Sequence, residues 1–349
     1  MANQAAWIKQ KQAQLEVDAA DKYDPQAGEL LVKVEVIAFS PIESKTQKLA
    51  VHPIPYPNIL GTSYAGIVEA VGAGVSQFKP GDRVATIRSG KTLGDPRFGA
   101  FQKFALASVD STSKLPASVA LEAGATAILN LAAVTSALSV HLGLERPPLS
   151  GPPEPKGKKV LIYGGTSSCG GLATKYATTA GYDVVTTSSP QHRAFVESLG
   201  PAHIIDHTQP PDALLQQLKE HGPYDAIFDT IGIPPVTNLV YDYLASVGGG
   251  SYNTIIPPIG GEKPVPANVE RKFAPYSWAF EEPQHLQFAR WFYEEYVPKG
   301  LESGLIVPTR PQVVHGGLDQ VQHALDLMDQ YKVSGHKLIL YPWGKPASL

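Results

Sequence analysis

A single cysteine, Cys169, among 349 residues leaves no internal disulfide framework and no zinc site built from several thiolates. Of the ten histidines only His203 and His207 show an H-x3-H spacing, and no cysteine or further histidine stands near them in sequence to complete a metal site. Basic charge is not in excess either. The net charge is −3 with histidines neutral, which removes the electrostatic footprint of a nucleic-acid partner. The N-terminal stretch lacks the apolar centre of a signal peptide, and no apolar run approaches the length of a membrane helix. The closing Ala347-Ser348-Leu349 matches a peroxisomal address only loosely, because the central basic residue is missing. A cytoplasmic protein with neither membrane nor nucleic acid among its partners is expected.

Apolar residues, by contrast, are abundant. They make up 43% of the chain against 17% charged, enough to bury two cores of ordinary size. The most organised stretch is 158–189, KKVLIYGGTSSCGGLATKYATTAGYDVVTTSS. Val160 to Tyr163 suit a strand buried on both faces, Gly164 and Gly165 permit tight turns, and Leu172 to Ala180 continue as a helix that Gly181 can stop. A second β-branched run follows at 184–187. Strand, glycine turn, helix, strand is the order of a dinucleotide-binding βαβ unit, whose helix N-terminus and loop amides receive a pyrophosphate.

On either side the character differs. Residues 1–125 read as short strands punctuated by Gly and Pro: 29–38 alternates apolar and polar, 61–72 is bracketed by glycines, and 77–86 is a turn followed by a strand. This pattern predicts a small barrel. Residues 122–144 predict one or two Ala/Leu-rich helices, and 143–157 an exposed proline-rich loop. Strand–helix alternation from 160 to 256 predicts a parallel sheet covered by helices. It stops after Pro257, leaving an aromatic helix at 284–296, an amphipathic helix at 319–331 and a final strand at 337–341. A β-rich start and mixed end around an α/β middle predict a discontinuous domain.

Three segments in order resemble the medium-chain dehydrogenase/reductase superfamily: GTSYAGIVEAVGAGVSQFKPGDRV at 61–84, VLIYGGTSSCGG at 160–171 and GGLDQVQHALDLMDQYKVSGHKLIL at 316–340. The resemblance spans nearly the whole chain. It implies an α/β fold class, a GroES-like β-barrel catalytic domain (1–128 and 275–349) plus a Rossmann doubly wound parallel-sheet domain (129–274), with the active site in the cleft between them. At the positions where zinc-dependent members carry Cys and a His-Glu pair, this chain has Ser40 and Thr62-Ser63. Hydroxyls replace the thiolate and imidazole that Zn²⁺ requires, so the resemblance is to the metal-free branch.

Enzymes that take NAD hold the ribose 2′-OH with an acid roughly 20 residues beyond the glycines. Here that place is Thr186-Thr187-Ser188-Ser189, without an acid, followed by His192 and Arg193. Hydroxyls and a cation suit a 2′-phosphate, which predicts NADPH; the alternative is that Ser189 merely caps a helix and Arg193 is solvated. The resemblance adds His207 and Lys337 near that phosphate. It also places Gly164, Gly165, Thr166, Ser167 and Ser168 on the pyrophosphate, with serines where quinone reductases usually show glycines. Ser40, Pro41, Thr135, Thr230, Ile231, Tyr252 and Asn253 would complete the cofactor contacts. Cys169 is expected to pack under the loop, since no histidine base lies beside it in sequence.

Residues 40–45, SPIESK, resemble the Asn-Pro-Ser-Asp-x-Lys segment of fungal trans-acting enoyl reductases. By that resemblance Lys45 would stabilise enolate charge; the proton would come from Tyr64, which follows the replaced His-Glu pair, from a nearby Lys or from water. The alternatives are a surface lysine and a packed tyrosine. The implied reaction is a metal-free NADPH-dependent reduction of an activated C=C bond in an α,β-unsaturated carbonyl or acyl thioester, free or carrier-bound. An NADPH:quinone oxidoreductase and a non-catalytic NADPH-binding partner protein are the competing readings. A monomer or a homodimer fits equally.

Overall fold

The computed structural model describes residues 2–344; the tripeptide 347–349 lies outside the described residues. The chain divides into two compact units. One comprises Met1–Leu129, Phe280–Gly304 and Pro308–Leu349, the other Asn130–Ala279 with Leu305–Val307.

In the first unit, Asn3–Ile8 pairs with Leu15–Ala20 and Asn58–Ile59, while a larger mixed sheet is centred on Glu29–Ala38. The alternation seen in 29–38 is real but heavily biased inward, because the strand pairs with Ser63–Val71, Phe104–Ser108 and Lys337–Leu340. Val32, Val34, Ile37, Tyr64, Phe101, Leu338 and Leu340 share its core. The predicted amphipathic helix begins as a 3-10 turn, Gly317–Gln320, and runs on as Val321–Asp329, burying Val321, Ala324 and Leu325 against that core.

The second unit holds a six-stranded parallel sheet, in spatial order His203–Asp206, Asp183–Ser188, Lys159–Tyr163, Ala226–Asp229, Gly250–Thr254, Val269–Lys272. Numbered along the chain this is 3-2-1-4-5-6, the doubly wound order that puts a ligand outside the carboxyl ends of the strands. Val160, Leu161 and Ile162, all fully buried, sit opposite Val184, Val185 and Thr186 on one side and Ala226, Ile227 and Phe228 on the other. A continuous apolar run is what a strand covered on both faces needs.

Three expectations are corrected. The sheet does not end near Ile256: Val269–Lys272 adds a sixth parallel strand, unrecognised because at this sheet edge only Val269 is buried. The aromatic helix is a composite of Pro283–His285, Leu286–Arg290, a π segment Trp291–Tyr296, and Val297–Ser303. Trp291 and Tyr296 stack at 4.8 Å and 13°, an i to i+5 contact that a π turn brings into line and an α-turn does not. Finally, Leu121–Thr135 continues through the π turn Ser136–His141, and this 21-residue helix is long and apolar enough, by length and composition, to cross a membrane. Of the most apolar window, 78% is buried inside the protein, as in the core helix of a globular fold.

Candidate functional site

The nucleotide turn is assembled by its own hydroxyls. Gly164 has φ +94°, a conformation that favours glycine, and a Cβ there would lie 2.6 Å from the Ile231 side chain. The Gly164 amide donates to Thr187 Oγ1 at 2.8 Å and the Gly165 amide to the Thr187 carbonyl at 2.9 Å, binding the turn to the neighbouring strand. Ser167 is the N-cap of the Ser168–Thr179 helix, its Oγ accepting from the Gly170 amide at 2.9 Å. Ser167 Oγ also lies 2.9 Å from Thr230 Oγ1. Ser167, standing where a glycine is usual, thus braces the loop, and the first turn of the helix presents its N–H groups and positive dipole end beside it.

At the end of the second strand, Thr166 Oγ1 and Ser188 Oγ are 3.0 Å apart, and the His207 amide donates to the Ser188 carbonyl at 3.4 Å. Ser189 does stand at the N-cap of Pro190–His192, but its side chain makes no capping bond there. Arg193 is exposed and pairs with Glu197 one turn along its own helix, at 2.9 Å. Sequence reasoning missed Asp206, which pairs in register with Ser188 from the adjacent strand. Thr208 holds its carboxylate through the backbone amide at 2.9 Å and the hydroxyl at 2.7 Å, which keeps the group below the usual carboxylate range.

Along the carboxyl edge, Thr230 Oγ1 donates to the Tyr163 carbonyl at 2.7 Å, and the Ile231 and Gly232 amides both donate to Asp229 Oδ1 at 2.9 Å. Asp229 was not foreseen. An acid at a strand end two residues before a tight turn is the Asx-turn signal that would have found it. Three proposed cofactor contacts are buried. Tyr252 is fully buried, edge-on to Tyr241 in the apolar core, because alternation in its strand turns it toward the Pro234–Ser246 helix. Asn253, its neighbour on the other face, is 2% exposed. Thr135 is buried and its hydroxyl returns to the Ala132 carbonyl of its own helix at 3.3 Å.

In the first unit, the stretch read as SPIESK is the start of the helix Pro41–Leu49. Ser40 and Glu43 close a capping box, with exposed Pro41 at the first helical position. The Glu43 carboxylate is 2% exposed and accepts from the Ser40 amide, the Thr62 amide at 2.9 Å and the Thr62 hydroxyl. Burial pushes its carboxyl up, opposed by these donors and by the Lys337 ammonium. Lys337, proposed for the 2′-phosphate, instead lies in this buried group: it is 3% exposed, and its Nζ donates to Ser40 Oγ at 2.9 Å. Lys45, two residues along the helix from Glu43, is half-buried and forms no ion pair or hydrogen bond among the described residues. Tyr64 is the packed tyrosine of the alternative reading. Its ring is 1% exposed, its hydroxyl donates to the Leu106 carbonyl at 3.1 Å, and burial holds the phenol far above the ordinary range. A proton so placed is not deliverable to a ligand.

The donor set also decides how zinc fits. Ser40 Oγ takes a hydrogen bond from an ammonium, the Thr62 hydroxyl donates to Glu43, and Ser63 Oγ donates to the Ala38 carbonyl at 3.3 Å. None is a thiolate or imidazole, and among the described residues no three His, Cys, Asp or Glu side chains converge. The residues do not fit that metal.

A GroES-like unit joined to a doubly wound, glycine-turn unit defines a two-domain nucleotide-dependent reductase architecture. Residues 26–117 match the alcohol dehydrogenase GroES-like domain family and residues 169–253 the zinc-binding dehydrogenase family. Over 340 residues the chain is 30% identical to the trans-enoyl reductase himH of Aspergillus japonicus, covering 97% of each protein. It is 32% identical over 355 residues to the dehydrogenase azaJ of Aspergillus niger, covering 97% of this chain and 98% of that one. Among solved structures, an alcohol dehydrogenase superfamily protein of Novosphingobium aromaticivorans superposes with a TM-score of 0.79 at 19% identity, over 97% of this chain and 99% of the other. The chain belongs to the medium-chain dehydrogenase/reductase superfamily and is an oxidoreductase of that group.

Proposed function

We propose that the protein reduces an activated C=C bond at the expense of NADPH, the Rossmann unit holding the cofactor and the GroES-like unit carrying the groups that handle the substrate. A bound nicotinamide would supply a hydride for the β-carbon of an α,β-unsaturated carbonyl. The observation that carries the reading is Lys45. It is a half-buried ammonium without a partner among the described residues, on a helix whose start is locked by Glu43 and whose sequence resembles enoyl reductases. Such a cation stabilises the negative charge that develops on the substrate carbonyl oxygen. The α-carbon then takes its proton from Lys45 or from solvent, since Tyr64 is committed to Leu106. For the cofactor, the turn 164–168 and the Ser168–Thr179 helix suit a pyrophosphate. The hydroxyls of Thr166, Ser188 and Ser189, with His192, Arg193 and His207 nearby, suit a 2′-phosphate. The similarity to himH, itself named a trans-enoyl reductase, supports the substrate class.

The test is a panel of enoyl thioesters, enones and quinones with NADPH oxidation followed, using cofactor deuterated at C4. Saturated product with deuterium at the β-carbon is expected. Lys45→Met should lower kcat about a hundredfold with cofactor KM unchanged, the scale of losing one transition-state donor. Carbonyl reduction alone would refute the proposal. Quinone turnover without enone turnover, unaffected by Lys45→Met, would establish the quinone reductase reading in its place.

A further inference from the structure

The loop closing the fourth strand of the parallel sheet interlocks with the nucleotide turn. Thr230 Oγ1 bridges the Tyr163 carbonyl at 2.7 Å and Ser167 Oγ at 2.9 Å. A Cβ at Gly164 would meet Ile231 at 2.6 Å, and one at Gly170 would meet the Gly164 carbonyl oxygen at 2.0 Å and Thr230 Oγ1 at 2.8 Å. On the far side, Gly232 has φ +70° and a Cβ there would meet Ile256 at 2.3 Å. The glycines thus let the two loops approach more closely than any side chain at those positions would allow. What sets the second loop is Asp229, whose Oδ1 takes both the Ile231 and the Gly232 amides.

The aspartate is an expensive choice for that position. It is fully buried, and Oδ2 has no partner in ordinary hydrogen-bond geometry. The same holds for the hydroxyl of Thr254, the residue opposite it in register. Burial pushes the carboxyl up to about 6, against the pull of the two amides and of Arg271. A position needed only for core packing is better filled by an apolar side chain. Two amides at a strand end, however, need one acceptor held between them.

We infer that Asp229 is a positioning residue of the cofactor cradle: by fixing the Ile231 and Gly232 amides it seats Ile231 against Gly164 and Thr230 against Ser167, and so sets the shape of the 164–168 turn. The inference rests on the dinucleotide reading of that turn. It requires the acceptor at Oδ1 and not the charge, so Asn serves and Ala does not.

NADPH fluorescence titration of the full chain tests it, alongside amide hydrogen exchange without cofactor. In Asp229→Ala, Kd for NADPH should rise about tenfold or more, the scale of leaving buried donors unsatisfied. Exchange should quicken at 164–168 as well as at 230–232. Asp229→Asn should restore both to within about threefold of the parent. Thr230→Val, which cuts the ties to Ser167, Tyr163 and Gly164, should quicken exchange at 164–168 and weaken NADPH binding in a chain that keeps its acid. Unaltered protection of 164–168 in Asp229→Ala overturns the inference, as does an Asn variant as weak as the Ala one. Should Asp229→Ala not fold, parental NADPH affinity in Thr230→Val overturns it. A parent chain that binds no NADPH, yet loses 164–168 protection in Asp229→Ala, overturns the cofactor reading and leaves the bracing established.

Discussion

Asp229 couples loop geometry to proton binding, and its sign is worked out from burial. Its carboxyl titrates at about 6 in the fold against 3.8 unfolded, so the folded state holds the proton more tightly. The stability it contributes is therefore greatest below about pH 4, falls as pH rises to about 6, and stays low above that. Two pKa units correspond to about 3 kcal/mol. Asn cannot titrate, so the unfolding free energy of Asp229→Asn minus that of the parent should climb by up to about 3 kcal/mol between pH 4 and pH 7. Urea denaturation at a series of pH values measures it, and a flat difference would contradict the buried-acid account. Residues at this scale were the least legible. Lys337 and Tyr64 have the right chemistry for a site, but sequence spacing does not say whether a polar side chain faces a ligand or a buried partner. Glu43 was legible in principle, since Ser40-Pro41-Ile42-Glu43 is a capping-box pattern, yet nothing local indicates that its carboxylate also reaches Thr62.

At the scale of elements, the helix Pro41–Leu49 illustrates how a buried charge organises a segment. Its N-terminus is tied to residue 62 by Glu43 and to the Lys337–Leu340 strand by Lys337, so three distant pieces of chain share one polar knot. Lys337→Met removes the cation facing a buried carboxylate, and unfolding should become easier by about 3 kcal/mol. Burial already raises the folded pKa of Glu43, and losing Lys337 raises it further. The destabilisation should accordingly be larger at pH 8 than at pH 5, which chemical denaturation at the two pH values will decide. Elements covered on both faces were read correctly because burial writes itself as continuous Val, Ile and Leu. The strand Val269–Lys272 was not, since an edge position leaves Glu270 and Lys272 exposed and tolerates a polar sequence. The π segment was equally hidden, because it arises from how Trp291 and Tyr296 stack and not from any propensity of the residues.

For the molecule as a whole, three motifs in order were enough to read the architecture, while the cofactor's phosphate is a finer matter. NADPH at a hundred times its Kd should raise the unfolding free energy by about 2.7 kcal/mol. NADH at the same concentration should do much less. Ser189→Asp places a carboxylate where the hydroxyl now caps nothing and should reverse that order, as read by the shift in melting temperature with each dinucleotide. Equal shifts for both cofactors in both proteins would remove the case for a 2′-phosphate site.

The buried Lys337 also bears on reversibility. A thiolate introduced at position 40 would face an ammonium already 2.9 Å from the side-chain oxygen there, and an imidazole at position 62 would remove the hydroxyl that donates to Glu43. Installing Cys, His and Glu at positions 40, 62 and 63 should therefore leave zinc substoichiometric by elemental analysis until Lys337 is also replaced. The polar knot of Ser40, Glu43, Thr62 and Lys337 thus occupies the place that such ligands would need.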